Sequence, residues 1–383
     1  TTKLKGEASM ILGGIPGYSY GGQRYGSTTF NYDLRLNFDT SYTGQDLLRT
    51  RLRTGNFSTY PFGSSGTPFK LDKAEDWNST VYVDRLYYTF PVGADKSIKL
   101  TLGALVRNTE LAWLPTAYKS DILDAFTTIG TSGVYNKATG EGVGFQWKQN
   151  VPKGKAAWVF NANYVVSGSC GTSAGSKNGA CGANSAYGVF DSNSGSNIMA
   201  QLGYKANQWG AAIGYRYGTT GSSMRDGNGP AAITLGNLQY SNSIAFNAYW
   251  QPAQTGWMPS ISVGYGYNFI SNDNGYNPIG TGTAANGGAT SSKSWMVGFQ
   301  WDNAFYKANA AGIAFGQPSH STCNGSQCNP WLVEWFYRIQ ATDNISITPA
   351  LFYGSSVANS YGSNGNVSAY TGLGGVIQTT FKF

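Results

Sequence analysis

The sequence predicts an all-β chain, a 16-stranded antiparallel transmembrane β-barrel with long extracellular loops and short periplasmic turns. Three observations carry this. Apolar and polar residues alternate with a period of two from end to end, the pattern of strands with one apolar face. The connections between these segments alternate between long and short. Charged residues are 12% of the chain and aromatics 15%, yet no stretch approaches the ~20 consecutive apolar residues of a membrane helix, so strands must do any crossing of a bilayer.

In chain order, the first strand covers 4–12. The second, 30–42, shows the alternation best: Phe30, Tyr32, Leu34, Leu36 and Phe38 share one face, and Asn31, Asp33, Arg35, Asn37 and Asp39 the other. No helix tolerates that period. Strands three to sixteen follow at 47–54, 80–90, 98–106, 142–148, 156–166, 197–205, 209–217, 243–250, 259–269, 294–301, 308–315, 331–340, 345–353 and 370–383. Short connections fall at 42–44, 91–96, 149–155, 206–208, 251–258, 302–307 and 341–344. Long ones fall between them at 55–79, 107–141, 167–196, 218–242, 270–293, 316–330 and 354–369. A soluble sandwich has no reason to segregate its loops in this way, whereas an outer-membrane barrel does. A sandwich would also set its large rings mid-strand. Here Phe90, Trp147, Trp158, Tyr204, Trp209, Trp250, Trp257, Trp301, Phe305 and Tyr306 gather beside the short turns, the depth preferred by rings with one wet side.

An open sheet edge in hydrocarbon leaves unpaired backbone groups, so the first and last strands are expected to pair and close a single barrel domain over 1–383. The last strand ends with Phe381 and Phe383 on one face, which resembles the C-terminal signature of bacterial outer-membrane proteins. The outer membrane is therefore the expected location. Net charge is +7, but the Lys and Arg residues are scattered and no basic helix accompanies them, so nucleic acid is not an expected partner. The four cysteines form two close pairs, Cys170 with Cys181 and Cys323 with Cys328, each in a Gly/Ser/Asn-rich connection. They read as loop disulfides of an oxidising compartment. A metal site through His320 and Cys323 is the alternative, and it lacks the usual zinc spacing.

With apolar side chains toward lipid, the opposite face lines a lumen. The 42–44 connection suits a three-residue hairpin with Gly44 in the left-handed position. That register sets Arg35 opposite Arg51, Asp33 opposite Arg53 and Asn37 opposite Arg49, so Arg49, Arg51 and Arg53 climb the wall as a ladder. Like charges directly opposite repel. Either passing anions or the carboxylates Asp33 and Asp39 must relieve the pairing, and the sequence leaves both open. The connection 107–141, beginning at Arg107, is the candidate constriction loop. Its Leu111, Trp113, Leu114, Ile122, Leu123, Phe126 and Ile129 are more apolar than an exposed loop needs, and packing on the inner wall would use them. A flap over the mouth is the alternative. Folded inward, the loop brings Glu110, Lys119, Asp121 and Asp124 toward the arginines, and opposed charges across a narrowed pore filter small solutes. Alternation also assigns Arg85, Lys99, Arg216, Glu334, Arg338 and Lys382 to the lumen. Positive charges outnumber negative ones in that set, which predicts conduction of small anions at least as good as that of cations. The implied function is passive diffusion of small hydrophilic or inorganic solutes.

Catalysis has little support. The one GxSxG match, 171–175, lies in a Gly/Ser loop rather than on a strand-to-helix elbow, and the sole histidine is far away in sequence. No cluster of carboxylates, His or Cys with ligand spacing lines the expected pore, so no metal or other cofactor is expected. A sugar channel is the nearest rival among pores, and a structural anchor to the cell wall is a second alternative. Stacked aromatics along the lumen would favour sugar, but most Trp residues have lipid-facing parity.

Leu4-Lys5-Gly6-Glu7, the run from Tyr32 to Asp39, Gly44-Gln45-Asp46 continuing to Leu52, and Asp84-Arg85-Leu86-Tyr87-Tyr88 resemble the cyanobacterial outer-membrane porins. These are grouped with the carbohydrate-selective porin (OprB) superfamily and are often labelled iron uptake porins. The similarity runs along the whole chain and is strongest in its first 150 residues. It implies a homotrimer that passes small or inorganic solutes. Contact with peptidoglycan is implied only through an N-terminal surface-layer-homology domain that family members carry and these residues do not include. A link to iron rests on the family label alone.

Overall fold

All sixteen alternating segments form strands. The computed structural model describes residues 1–63, 67–166, 188–192, 194–225, 235, 239–272, 291–320, 329–361 and 367–383. The barrel strands are β1 (Thr2–Gly14), β2 (Thr29–Thr40), β3 (Leu47–Gly55), β4 (Tyr82–Val92), β5 (Ile98–Arg107), β6 (Thr139–Lys148), β7 (Ala157–Val166) and β8 (Ser196–Lys205). They continue as β9 (Trp209–Gly218), β10 (Gln239–Trp250), β11 (Ser260–Asn272), β12 (Ser291–Asp302), β13 (Ala310–His320), β14 (Trp331–Gln340), β15 (Ile345–Tyr361) and β16 (Val367–Lys382). Each pairs antiparallel with its sequence neighbours, and β16 returns to β1, from Glu7 opposite Lys382 to Gly14 opposite Gly375. Backbone bonds between Gly6 and Phe383 in both directions, at 2.7 and 3.1 Å, finish the seam. No barrel edge remains, which is what hydrocarbon demands of a sheet.

Side chains sort as the alternation requires. Phe30 is 65% exposed, Ile213 56% and Leu351 51%, whereas Asp33, Asn161, Gln201 and Ser262 on the opposite parity are buried. The outward apolar residues form the belt that meets lipid tails. At the turn rim, Trp158, Tyr204 and Trp209 lie in a chain of ring contacts at 5.0 and 5.5 Å, and Trp257, Phe305 and Tyr306 project outward. A second aromatic group, Trp295, Phe315 and Trp331, sits toward the loop rim with ring centroids 5.6 and 6.0 Å apart. Girdles at both interfaces are what a lipid-embedded barrel uses.

Several boundaries differ from the sequence expectation. β10 begins at Gln239, β13 reaches His320 and β15 reaches Tyr361, so ladder bonding continues where Ser, Asn and Gly have blurred the alternation. The connections 321–330 and 362–366 are correspondingly short, and the long-short rhythm weakens near the C-terminus. The candidate constriction loop contracts to 108–138, because Thr139 already belongs to β6. Both expected disulfides, Cys170 with Cys181 and Cys323 with Cys328, lie outside the described residues.

The expected three-residue hairpin between β2 and β3 is a longer turn, 41–46. One Asp46 carboxylate oxygen accepts from Ser41 Oγ at 2.7 Å, Tyr42 N at 3.0 Å, and Thr43 N and Oγ1 at 2.8 Å each, while Gly44 adopts φ +84°. An acceptor that gathers four donors organises a wide turn where a tight one would leave them unpaired. The register moves by two residues, so Arg35 faces Arg53, Asn37 faces Arg51 and Asp39 faces Arg49. A shift of two preserves parity, and the lumen face keeps the same residues.

Two loops pack together inside the barrel, joined by Ile15 and Tyr18 of the connection after β1. Phe57, Phe62, Phe69, Leu71 and Ala74 from 56–81 pack with Tyr118, Ile122, Leu123, Phe126 and Ile129 from 108–138. They rest on inward apolar residues of the wall: Ile11 of β1, Ala314 of β13, Leu332 and Phe336 of β14, Phe352 of β15 and Val376 of β16. The inner wall is thus apolar on this side and charged from β2 to β5.

Candidate functional site

The charged arc of the lumen is built from short-range ion pairs. Asp33 of β2 accepts from Arg35 Nε at 3.0 Å and from Arg53 Nη2 at 2.6 Å, so it stands between the two arginines that the register sets opposite each other. Arg53 also reaches Glu75 at 3.3 Å. Lower on the wall, Asp39 takes Arg49 in two-pronged fashion at 2.8 and 2.9 Å, with Lys5 at 3.3 Å. The like-charge pairing that the sequence exposed is therefore relieved by carboxylates within the wall.

A β-bulge sets the next tier. Arg51 pairs with Arg85, but Leu52 pairs with Val83, so Asp84 and Arg85 both turn inward. Asp84 accepts from Arg51 Nε at 2.6 Å and from Arg85 Nη1 at 2.9 Å. Arg85 Nε donates to Glu110 of the loop at 2.8 Å. Burial works against the Glu110 charge, but Arg85, Arg51 and Arg107 around it hold its carboxyl below the ordinary range. Arg107 itself donates to Thr139 Oγ1 at 3.0 Å.

The two loops are stitched together over this wall. Leu71 and Leu123 form a backbone bridge, with Asp72 N to Ile122 O at 2.8 Å and Asp124 N to Lys70 O at 2.9 Å. Lys137 Nζ joins Asp72 at 2.9 Å and Asp124 at 2.5 Å, and Arg225 reaches Asp124 at 2.6 Å. Burial opposes the Asp72 charge, and the adjacent Lys137 overcomes it and lowers the carboxyl. Beside Arg35, whose cross-strand partner on β1 is Glu7, Lys73 bridges Glu7 at 2.9 Å and Asp121 at 2.8 Å, and Arg338 lies 3.8 Å from Asp121. Burial disfavours the Lys73 ammonium, yet Asp121 and Glu7 raise its pKa.

The expected site residues thus separate into groups. Asp33, Arg35, Asp39, Arg49, Arg51, Arg53, Arg85 and Glu110 come together on one arc, joined by Asp84 and Glu75. Asp121 and Arg338 meet elsewhere, and Asp124 serves the junction between loops instead of facing the ladder. Arg216 and Glu334 have lumen parity but no exposed surface. Arg216 donates to Gly133 O at 2.5 Å and Asn197 Oδ1 at 2.9 Å, and Glu334 accepts from Tyr118 OH and Leu123 N at 2.7 Å each. Both hold loop 108–138 rather than facing water, which parity alone cannot foresee. Asp72, Lys73, Glu75, Asp84 and Lys137 were absent from the sequence expectation. The apolar run Phe57, Phe62, Phe69 and Leu71 was a usable signal for the first loop, by the same criterion that marked the second; the Asp84 bulge had none.

Between the loops and the wall lies a polar cavity of about 280 Å³. Arg53, Lys70, Arg107, Lys137 and Arg225 contribute positive charge there, and Asp72, Glu75, Asp76, Asp84 and Asp124 negative.

No family model matches the sequence. An uncharacterized protein of Synechocystis sp. is 29% identical over 411 residues, covering 100% of this chain and 69% of its own length. One of Nostoc sp. is 28% identical over 410 residues, covering 100% of this chain and 65% of its own length, so the chain spans about two thirds of these relatives. Among solved structures, OprB of Pseudomonas putida at high pH superposes with a TM-score of 0.62 at 10% identity, over 100% of this chain and 94% of that one. The anion-selective porin of Comamonas acidovorans gives 0.56 at 11%, over 100% and 99%. OmpT of Vibrio cholerae in its trimer form gives 0.58 at 10%, over 100% and 99%. At these identities the likeness is one of fold: a closed 16-stranded outer-membrane barrel. With its outward apolar belt and aromatic girdles, this barrel belongs in the outer membrane.

Proposed function

We propose that the chain is a passive diffusion channel for small hydrophilic or inorganic solutes, with loop 108–138 as its constriction and the arginine arc as its selective wall. The observation that carries this is the inward packing of two loops on an apolar part of the wall while the adjoining arc, β2 to β5, stays charged. A barrel built only to brace the membrane needs no such division. Opposed charges around a cavity of about 280 Å³ act on small ions and dipoles and exclude bulky solutes. The pore residues in this reading are Arg35, Arg49, Arg51, Arg53, Arg85, Arg107, Asp33, Asp39 and Glu110. We further infer a homotrimer, in line with the trimeric form of the Vibrio cholerae barrel.

Single-channel recording in planar bilayers, paired with liposome swelling over a ladder of solute sizes, tests the reading. Steps of uniform conductance in salt with little swelling in disaccharides are expected. Rapid disaccharide flux would move the assignment to a sugar channel, and a silent barrel would overturn it.

A further inference from the structure

The turn rim carries a second charged feature, away from the arginine arc. The lumen ends of β5 to β8 and the turns beside them surround a cavity of about 610 Å³. Six lysines line it, Lys96, Lys99, Lys148, Lys153, Lys155 and Lys205, against the single carboxylate Asp95. All six are exposed, and none is ion-paired among the described residues. Asp95 is already engaged, with one oxygen accepting from Ser97 N at 3.2 Å and Ser97 Oγ at 3.0 Å. The inner end of the cavity is firm. Trp113 of the constriction loop is clamped there by Gln201, whose Oε1 accepts from Trp113 N at 3.0 Å and whose Nε2 donates back to Trp113 O. Lys205 Nζ stands 6.0 Å from the centroid of the Trp113 ring.

We propose that this cavity is a binding site for small multivalent oxyanions arriving from the turn side of the barrel, the periplasm in the channel reading on which the sidedness rests. Six exposed ammonium groups without carboxylate partners repel one another, and a multiply charged phosphate relieves several at once where a monovalent ion relieves one. The site is concave and backed by a barrel wall of low dielectric, which focuses the field into the cavity rather than letting bulk water screen it. Lysine suits this task because its ammonium acts as a point charge on a flexible stem, with no need for planar two-pronged geometry. The arginine arc differs on this point: its guanidiniums are already held by Asp33, Asp39 and Asp84.

The test uses inorganic tripolyphosphate on the detergent-solubilised barrel. Calorimetric titration is expected to show saturable binding that weakens at least tenfold in the Lys148→Gln/Lys153→Gln/Lys155→Gln variant and weakens steeply with added salt. Lys307→Gln, in a turn outside the cavity, should bind as the parent does. Lys99→Gln alone serves as a milder probe should the triple variant misfold, and it should weaken binding severalfold. Absence of binding, or affinity unchanged in both the triple variant and Lys99→Gln, overturns the site. In bilayers with inserted channels of one orientation, tripolyphosphate should block from the turn side only, and equal block from both sides would overturn the location. A barrel that binds tripolyphosphate yet conducts nothing would refute the channel and leave the site standing.

Discussion

Asp33 illustrates how single residues settle the lumen. It lies between Arg35 and Arg53, two like charges placed face to face by the β2–β3 register, and it bonds to both. Asp84 does the same for Arg51 and Arg85 one tier away, and it can do so only because a bulge turns two consecutive residues inward. Asp46 works outside the membrane span. Burial disfavours its charge, but donors from Thr43, Ser41 and Tyr88 outweigh that and hold its carboxyl below the usual aspartate range. A folded-state pKa below the unfolded one adds stability that is fully present above the unfolded value and is lost as pH falls through the folded one. Asp46→Asn should therefore unfold at lower denaturant than the parent at neutral pH. The gap should hold down to about pH 4, the ordinary aspartate value, and narrow below it. Denaturant midpoints followed by tryptophan fluorescence across pH would check this, and a gap independent of pH would refute it.

Among the elements, loop 108–138 depends on specific wall residues. Gly264 of β11 leaves room for Ile129 O, which a Cβ at that position would strike. Gln300 Oε1 accepts from Lys119 N at 2.6 Å, and Ser262 Oγ accepts from Ala117 N at 2.9 Å. Glu334 is the strongest peg, fully buried and accepting from both Tyr118 and Leu123. Glu334→Leu should strand those two donors at roughly 1–3 kcal/mol each and loosen the loop without opening the barrel. Noisier and larger single-channel currents with an unchanged far-ultraviolet strand signal are expected. Quiet currents of parental size would show that the loop is held by its apolar contacts alone.

At the scale of the molecule, closure of the sheet and the apolar belt make the barrel self-sufficient in lipid, since every barrel strand has two partners. Assembly into trimers would come on top of that, through part of the outward surface. If trimers form, the purified protein should migrate as one species near threefold mass in sodium dodecyl sulfate without heating. It should fall to the 40.9 kDa chain after boiling. Cross-linking before solubilisation would distinguish this from aggregation, and a barrel that remains monomeric in both assays refutes the assembly.

Strand number, strand order and the facing of side chains were legible in the sequence because a period of two has one physical cause, the pleat, and two solvents acted on its two faces. Phe30 to Asp39 shows it plainly, and a register error of two residues left every facing intact. The burial of Leu111, Leu123 and Phe126 in loop 108–138 has a related cause: these side chains are too apolar to sit in water. Which charges meet was decided only in three dimensions. The partners of Arg53 come from β2 and from the first inward loop, and those of Arg85 from a bulge and the second. Glu334 and Arg216 have the parity of pore residues and are covered by a loop that arrives from elsewhere in the chain. Alternation reports which side of a wall a residue faces, and it carries no information about what a distant segment will lay over it.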